Sequence, residues 1–249
     1  KYPKILPFKH IDRALFGDLE YENLFKAADG EISHREITPK FGTEVKSGIQ
    51  LSKLDDKAKD DLALLVAKRG VVVLRNQDLK EKGPAFVKEW GKYFGPLHIH
   101  PTSGAPAGFP EFHIVYRKAG DNAKENVNEV FAYRTQNIIW HSDATYELQP
   151  PGITALIGIK TPESGGDTLF ADTVEAYERL SPQFQKMLDG LKVAHTSKEL
   201  AKNTVAEGGI ERRAAVDNIH PLVRWHPVLK KKILFLQRGF GKRILGFES

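Results

Sequence analysis

Trp140-His141-Ser142-Asp143-Ala144-Thr145-Tyr146 is the stretch on which the reading of this chain turns. A His-x-Asp triplet on an extended strand puts an imidazole and a carboxylate on the same side, because side chains alternate with a period of two. With a distant histidine, such a pair can hold one face of an octahedral ferrous ion and leave three positions open. The triplet alone is a weak signal: with nine histidines and 32 acids in 249 residues, chance supplies roughly one His-x-Asp/Glu match. Three occur: His10-Ile11-Asp12, His34-Arg35-Glu36 and His141-Ser142-Asp143. Only the third follows a tryptophan and a long polar segment, Arg117 to Ile139, and leads into Pro150-Pro151 and the apolar run Ile153 to Ile159. Loops that long inside a domain are commonly lids or binding loops, so residues 117–139 are read as a lid beside the triplet.

Outward from there, the pattern predicts short strands separated by polar loops: His113–Tyr116, Ile153–Ile159, Asp167–Ala171, Pro221–Trp225 and Ile233–Gln237. Towards the N-terminus, Asp55–Lys68 has helical period, with Ala58, Leu62, Leu65 and Val66 on one face and Gly70 as its stop. Val71–Leu74 reads as a strand, and Pro84–Tyr93 as a helix that turns Phe86, Val87, Trp90 and Phe94 inward. Asp172, with Glu175 three residues on, opens a helix expected to run to about Leu188. Residues 1–36 have no clear period and read as an N-terminal arm laid over the core, with 37–249 as a single domain. Strands do not alternate with helices and no GxGxxG or GxxxxGK[ST] appears, which disfavours a doubly wound nucleotide fold. A β-rich core flanked by helices is the expectation.

Composition narrows the function. The chain has no cysteine, which removes disulfides, thiolate metal sites, iron–sulfur clusters and cysteine nucleophiles, and fits a reducing, cytoplasmic location. No apolar run approaches the about 20 residues of a membrane span. Net charge is −2 over residues 1–189 and +7 over 190–249. Lys230, Lys231 and Lys232 lie between apolar pairs, so this excess reads as a solvated hairpin turn rather than a nucleic-acid surface.

The chain closely resembles the taurine-type 2-oxoglutarate dioxygenases, and within them the fungal sulfonate/α-ketoglutarate dioxygenases. The resemblance is carried by Trp140–Tyr146, by Gln149-Pro150-Pro151-Gly152 and by Gly165-Gly166-Asp167-Thr168-Leu169-Phe170-Ala171-Asp172. It extends in order through Ile37-Thr38-Pro39, Gly48–Leu51, Gly70–Gln77, Phe94-Gly95-Pro96-Leu97-His98-Ile99-His100 and His220-Pro221-Leu222-Val223-Arg224. Such colinearity is specific where the triplet is not.

The resemblance implies a double-stranded β-helix, a cupin-like jelly roll, with Fe(II) in its mouth, 2-oxoglutarate and O₂ as cosubstrates, and hydroxylation of a small anionic substrate. For a taurine-like sulfonate, the products are an aldehyde and sulfite. Residue by residue, His141 and Asp143 match two iron ligands, Thr168 matches a hydroxyl that bonds 2-oxoglutarate, and His100, Asn137 and Phe240 match positions around the substrate. Ser103 stands where the bacterial pattern has a tyrosine that helps bind taurine, a departure from a strictly taurine-specific pocket. The third iron ligand, a histidine, and the 2-oxoglutarate arginine follow the Arg238-Gly239-Phe240 segment in the family. They are therefore expected beyond residue 249, with the closing strands of the jelly roll. His195, His220 and His226 match family positions that are not ligands. A homo-oligomer is the family expectation, with no nucleic-acid or membrane partner. Two alternatives stay open: the same chemistry on an alkyl sulfate ester or other small organic acid, and a non-catalytic jelly-roll binding module.

Overall fold

The computed structural model describes residues 1–46, 48–116 and 140–247. In chain order these contain α1 (Glu22–Lys26), β1 (His34–Glu36), β2 (Thr43–Val45), α2 (Asp56–Arg69), β3 (Val72–Leu74) and α3 (Leu79–Lys92). After the site segment come α4 (Thr173–Glu178), α5 (Pro182–Leu188), β4 (Lys192–Thr196), α6 (Lys198–Ala206), β5 (Asp217–Pro221), β6 (Val223–Trp225), β7 (Lys232–Leu234) and β8 (Gly241–Ile244).

Helix α2 forms where the apolar period predicts it. Asp55 caps it by accepting from the Ala58 N–H at 2.8 Å. Gly70 ends it at φ 72°, and a Cβ there would lie 2.1 Å from the Phe41 ring, so both backbone and space demand glycine. Ala58, Leu62 and Leu65 pack with Leu24, Val45, Ile49, Leu51, Leu54 and Leu79, each buried leucine being worth about 2 kcal/mol. The opposite flank is covered too, as Ala63 and Leu64 pack on Ala14. A helix buried on two flanks must partner its polar groups, and Asp61, fully buried, does so across chain segments. Its carboxylate accepts from the backbone N–H groups of Asp18 (2.7 Å), Asn23 (2.9 Å) and Leu24 (3.1 Å). It thereby caps α1, whose own cap residue, Tyr21, offers no side-chain bond. Arg13 makes a two-point pair with Asp60 at 2.7 and 2.8 Å, with the Tyr93 hydroxyl donating to the same carboxylate at 2.8 Å. Residues 1–36 thus contribute core as well as cover.

β1, β2 and β3 form one sheet, antiparallel then parallel, with Glu44 of β2 held by Arg35 at 2.6 Å and Arg75 at 2.9 Å. A second sheet, in the order β5-β4-β8, is antiparallel throughout, and β6 and β7 form a hairpin. In the hairpin turn Lys230 takes φ 54°, while Lys232 lies in β7 and pairs with Asp189 at 2.6 Å. Lys231 pairs with Glu178 at 3.0 Å and Lys242 with Glu199 at 2.5 Å, so part of the basic excess is locally matched.

Several elements differ from the sequence reading. The helix expected over 172–188 is two: Pro182 lacks an N–H and would clash inside a helix, and Ser181 instead caps a new one, accepting from Phe184 N–H at 3.2 Å. The helix expected from Pro84 begins at Leu79 and is interrupted at Gly83 (φ 77°, ψ 168°), and Phe86 faces outward while Val87, Trp90 and Phe94 pack inward. The stretches His113–Tyr116, Ile153–Ile159 and Asp167–Ala171 carry no strand ladder among the described residues. Their apolar composition predicted buried strands, but Val115, Leu156, Ile159 and Leu169 are each more than 70% exposed. A strand needs a neighbour for its N–H and C=O groups as well as an apolar sequence. The expected lid, residues 117–139, lies outside the described residues.

Two outcomes follow for stability. Asp61→Ala leaves three backbone donors and a helix start without an acceptor and is expected to cost about 3 kcal/mol in urea unfolding, against under about 0.5 kcal/mol for exposed Asp56→Ala; equal small effects would contradict the capping role. His195, fully buried in β4, is held down to about 4 by burial and by His220 and Arg224. The unfolded chain takes up its proton near 6.5, so this stabilisation is complete above that pH and drains away as pH falls towards 4, by up to about 3 kcal/mol. Urea midpoints across that window should fall less steeply in His195→Gln than in the wild type; identical slopes would contradict it.

Candidate active site

The segment that carries the His-x-Asp triplet is a turn, which corrects the expectation of an extended strand. Glu147 N–H donates to the Ala144 carbonyl at 3.0 Å, and Ala144 takes φ 47°. The pair nevertheless meets: His141 Nε2 lies 3.4 Å from Asp143 Oδ1, with just over half of each side chain exposed. Two donors bound at right angles to one octahedral ion, each at about 2.1 Å, stand about 3.0 Å apart. An imidazole and a carboxylate at this spacing therefore fit adjacent positions on a hard or borderline divalent cation with little adjustment. Among the described residues no group of three His, Asp or Glu side chains gathers to complete such a site. The His141 bond holds the Asp143 carboxyl below its usual range, assisted by the Thr154 hydroxyl, which donates to Oδ2 at 3.4 Å.

The turn is fixed from behind by groups far away in sequence. Glu147 is buried and forms an ion pair with fully buried Arg213, whose guanidinium also donates to the Ile99 carbonyl at 3.2 Å. His98 Nε2 lies 3.0 Å from the same Glu147 carboxylate. Burial alone would raise the Glu147 carboxyl, but the bonds from His98 and Arg213 keep it below the ordinary range. Backbone N–H groups of Arg212 and Arg213 donate to the Pro101 carbonyl at 2.7 and 3.2 Å, tying the 98–101 segment to the same block. Beside Glu147, Thr145 Oγ1 meets His195 Nδ1 at 3.0 Å, Asn218 donates to the Tyr146 carbonyl at 2.7 Å, and His220 Nε2 lies 2.8 Å from the Glu147 carbonyl. The Gln149 side chain makes a reciprocal pair with the backbone of Phe8, both bonds 2.8 Å, so the N-terminal arm pins the far end of the turn.

His100 stands on the segment this block secures. Its Nδ1 accepts from the backbone N–H groups of Thr102 (3.2 Å) and Ser103 (2.9 Å). Burial, then His113 and His98, hold its imidazole down to about 4, so the neutral ring carries its hydrogen on Nε2. Asp143 acts on His100 electrostatically, which puts the two in one neighbourhood. Phe240 packs edge-on against Tyr146 with ring centroids 4.7 Å apart, forming an apolar wall beneath the turn. Burial pushes the Tyr146 hydroxyl up, which removes it as an acid or base near neutrality.

His141 thus lies against Asp143, Asp143 acts electrostatically on His100, and Phe240 packs on Tyr146 of the same turn. Thr168 lies in an exposed stretch without secondary structure, with no described bond to that group, and Asn137 falls outside the described residues. His195 meets Thr145 through Nδ1 while its Nε2 is buried without a partner among the described residues, His220 Nε2 lies against the Glu147 carbonyl, and His226 Nδ1 accepts from the Val228 and Leu229 N–H groups, each at 3.2 Å. Sequence reasoning missed Glu147, Arg213, Thr154 and His113. Glu147 sits inside the diagnostic run, but its partner is 66 residues away and no local pattern announces it.

Comparison with known proteins places these features. The family model described as taurine catabolism dioxygenase TauD, TfdA family, matches residues 33–249. An alpha-ketoglutarate-dependent sulfonate dioxygenase of Saccharomyces cerevisiae is 48% identical over 98% of this chain, which spans 62% of that protein's length. An alkylsulfatase of Acinetobacter baylyi is 29% identical over 88% of this chain and 67% of its own length. The solved structure of a taurine dioxygenase from Burkholderia xenovorans superposes with a TM-score of 0.57 at 25% identity, covering 88% of this chain and 68% of that one. A family match over most of the chain, joined to close identity with the yeast protein, makes this chain a member of the TauD/TfdA dioxygenase family.

Proposed function

We propose that the protein is an Fe(II)/2-oxoglutarate-dependent oxygenase that acts on a small sulfonate. The observation that carries this reading is the 3.4 Å approach of His141 Nε2 to Asp143 Oδ1 in a member of this family. His141 and Asp143 would hold the ferrous ion, with a histidine as the third donor on the family pattern. The chemistry supplied at that site is oxidation with 2-oxoglutarate and O₂: one oxygen atom goes to succinate as CO₂ leaves, the other to the carbon bearing sulfur, whose hydroxylated form collapses to aldehyde and sulfite.

The chain's own residues bind and orient. Asp143 stays ionised and its carboxylate is steered by His141 and Thr154. His100, with Nδ1 committed to backbone N–H groups, offers its Nε2 hydrogen to the substrate's oxyanion. Phe240 on Tyr146 keeps water from one side, and the Glu147–Arg213 block fixes the spacing between His100 and Asp143. Thr168 donates to a carboxylate of 2-oxoglutarate, and Asn137 completes the substrate's surroundings; both assignments rest on the family pattern. The domain is the jelly roll of the family. A cytoplasmic location and self-association belong to the same proposal. Kinship with the alkylsulfatase keeps a sulfate ester as the second reading, and product analysis separates the two: a sulfonate yields sulfite, a sulfate ester yields sulfate.

Asp143→Ala is expected to abolish iron-dependent succinate formation, because the pair loses its anionic member; undiminished turnover contradicts the assignment. Thr168→Val is expected to raise the apparent KM for 2-oxoglutarate roughly threefold to tenfold with kcat little changed; an unchanged KM removes Thr168 from the site.

A further inference from the structure

A third imidazole stands in the same neighbourhood as His100 and Asp143. The His113 ring lies 4.6 Å from the His100 ring, tilted by 49°, and acts electrostatically on both His100 and Asp143. Unlike His98, whose Nε2 is engaged with Glu147, and unlike His100, whose Nδ1 is engaged with backbone, His113 is exposed and has no described hydrogen bond. Next to His100, the Ser103 hydroxyl is buried and without a partner among the described residues. A hydroxyl in that state is destabilising unless a ligand satisfies it. Behind these groups lies Arg213, whose charge also reaches His100. The local inventory is therefore rich in N–H and O–H donors, and its near acids are Asp143, bound up with His141, and Glu147, neutralised by Arg213.

We propose that His113 is a substrate-binding residue that, with His100, seats the oxyanion of the substrate. Two imidazole rings this close can present N–H groups to different oxygens of one tetrahedral sulfonate, which a single imidazole cannot do. The inference rests on the oxygenase reading above and deepens it, by giving the anion two nitrogen donors from separate segments.

The test uses the full-length protein loaded with Fe(II) and 2-oxoglutarate under anaerobic conditions, with taurine as the probe, and the His113→Ala and His113→Gln variants. Calorimetry should show about tenfold weaker taurine binding in His113→Ala, the loss expected for one hydrogen bond to a charged group, and partial recovery in His113→Gln. Steady-state assays should show the same split, a raised KM for taurine with the KM for 2-oxoglutarate and the melting temperature unchanged. Wild-type taurine affinity in His113→Ala overturns this inference alone. Loss of Fe(II) binding in His113→Ala also overturns it, by making His113 a metal ligand. A wild-type enzyme that binds no taurine and releases no sulfite overturns the oxygenase reading together with it.

Discussion

Everything at the site is referred to one buried carboxylate. Glu147 is taken out of water four residues after Asp143, and that cost is met because Arg213 gives it a guanidinium partner and His98 an imidazole. Removing one member of such a pair commonly costs about 3–5 kcal/mol, since the other is left charged in the core. The pair is retained for what it fixes in space. One end leads along the turn to Asp143 and His141; the other leads through Ile99 and Pro101 to His100. A displacement of about 1 Å in either direction would separate the residues proposed to hold metal from the one proposed to face the substrate.

The turn gains rigidity from being held at every residue from Thr145 to Gln149 except Leu148. β4 supplies His195, β5 supplies Asn218 and His220, and the N-terminal arm supplies the backbone of Phe8. The second sheet is thus a platform for the turn, and its buried histidines act as spacers that stay neutral through their surroundings. The left-handed Ala144 is tolerated because these contacts over-determine its conformation. The chain spends structure on the back of the site and leaves the front, His141 and Asp143, more than half exposed.

What was legible in the sequence depended on how local its cause was. Helix α2, its Asp55 cap and its Gly70 stop could be read because each is set within one or two turns of helix. Asp172 was read as a cap for the same reason, and its side chain does accept from Val174 N–H at 2.8 Å. Pro182 carried a local signal that the helix should break, and a reading that started from the Asp172 cap ran past it. Ile153–Ile159 was misread because composition reports a wish for burial without saying what will cover it. The His141–Asp143 pair was found for a reason that proved incomplete: strand alternation would have aligned them, whereas a turn brings them together. Asp61 capping a helix 38 residues away and Arg213 reaching Glu147 and His98 have no local signature; nor does His113, whose meaning appears only beside His100.

The proposed function stands or falls on whether His141 and Asp143 hold a ferrous ion that also takes 2-oxoglutarate. The direct measurement is an anaerobic titration of the full-length protein with Fe(II) and 2-oxoglutarate, followed by visible absorption. A charge-transfer band that saturates with one equivalent of each, and that shifts when a sulfonate is added, is the result the account predicts. No band at saturating iron and 2-oxoglutarate in the folded wild-type protein would contradict it.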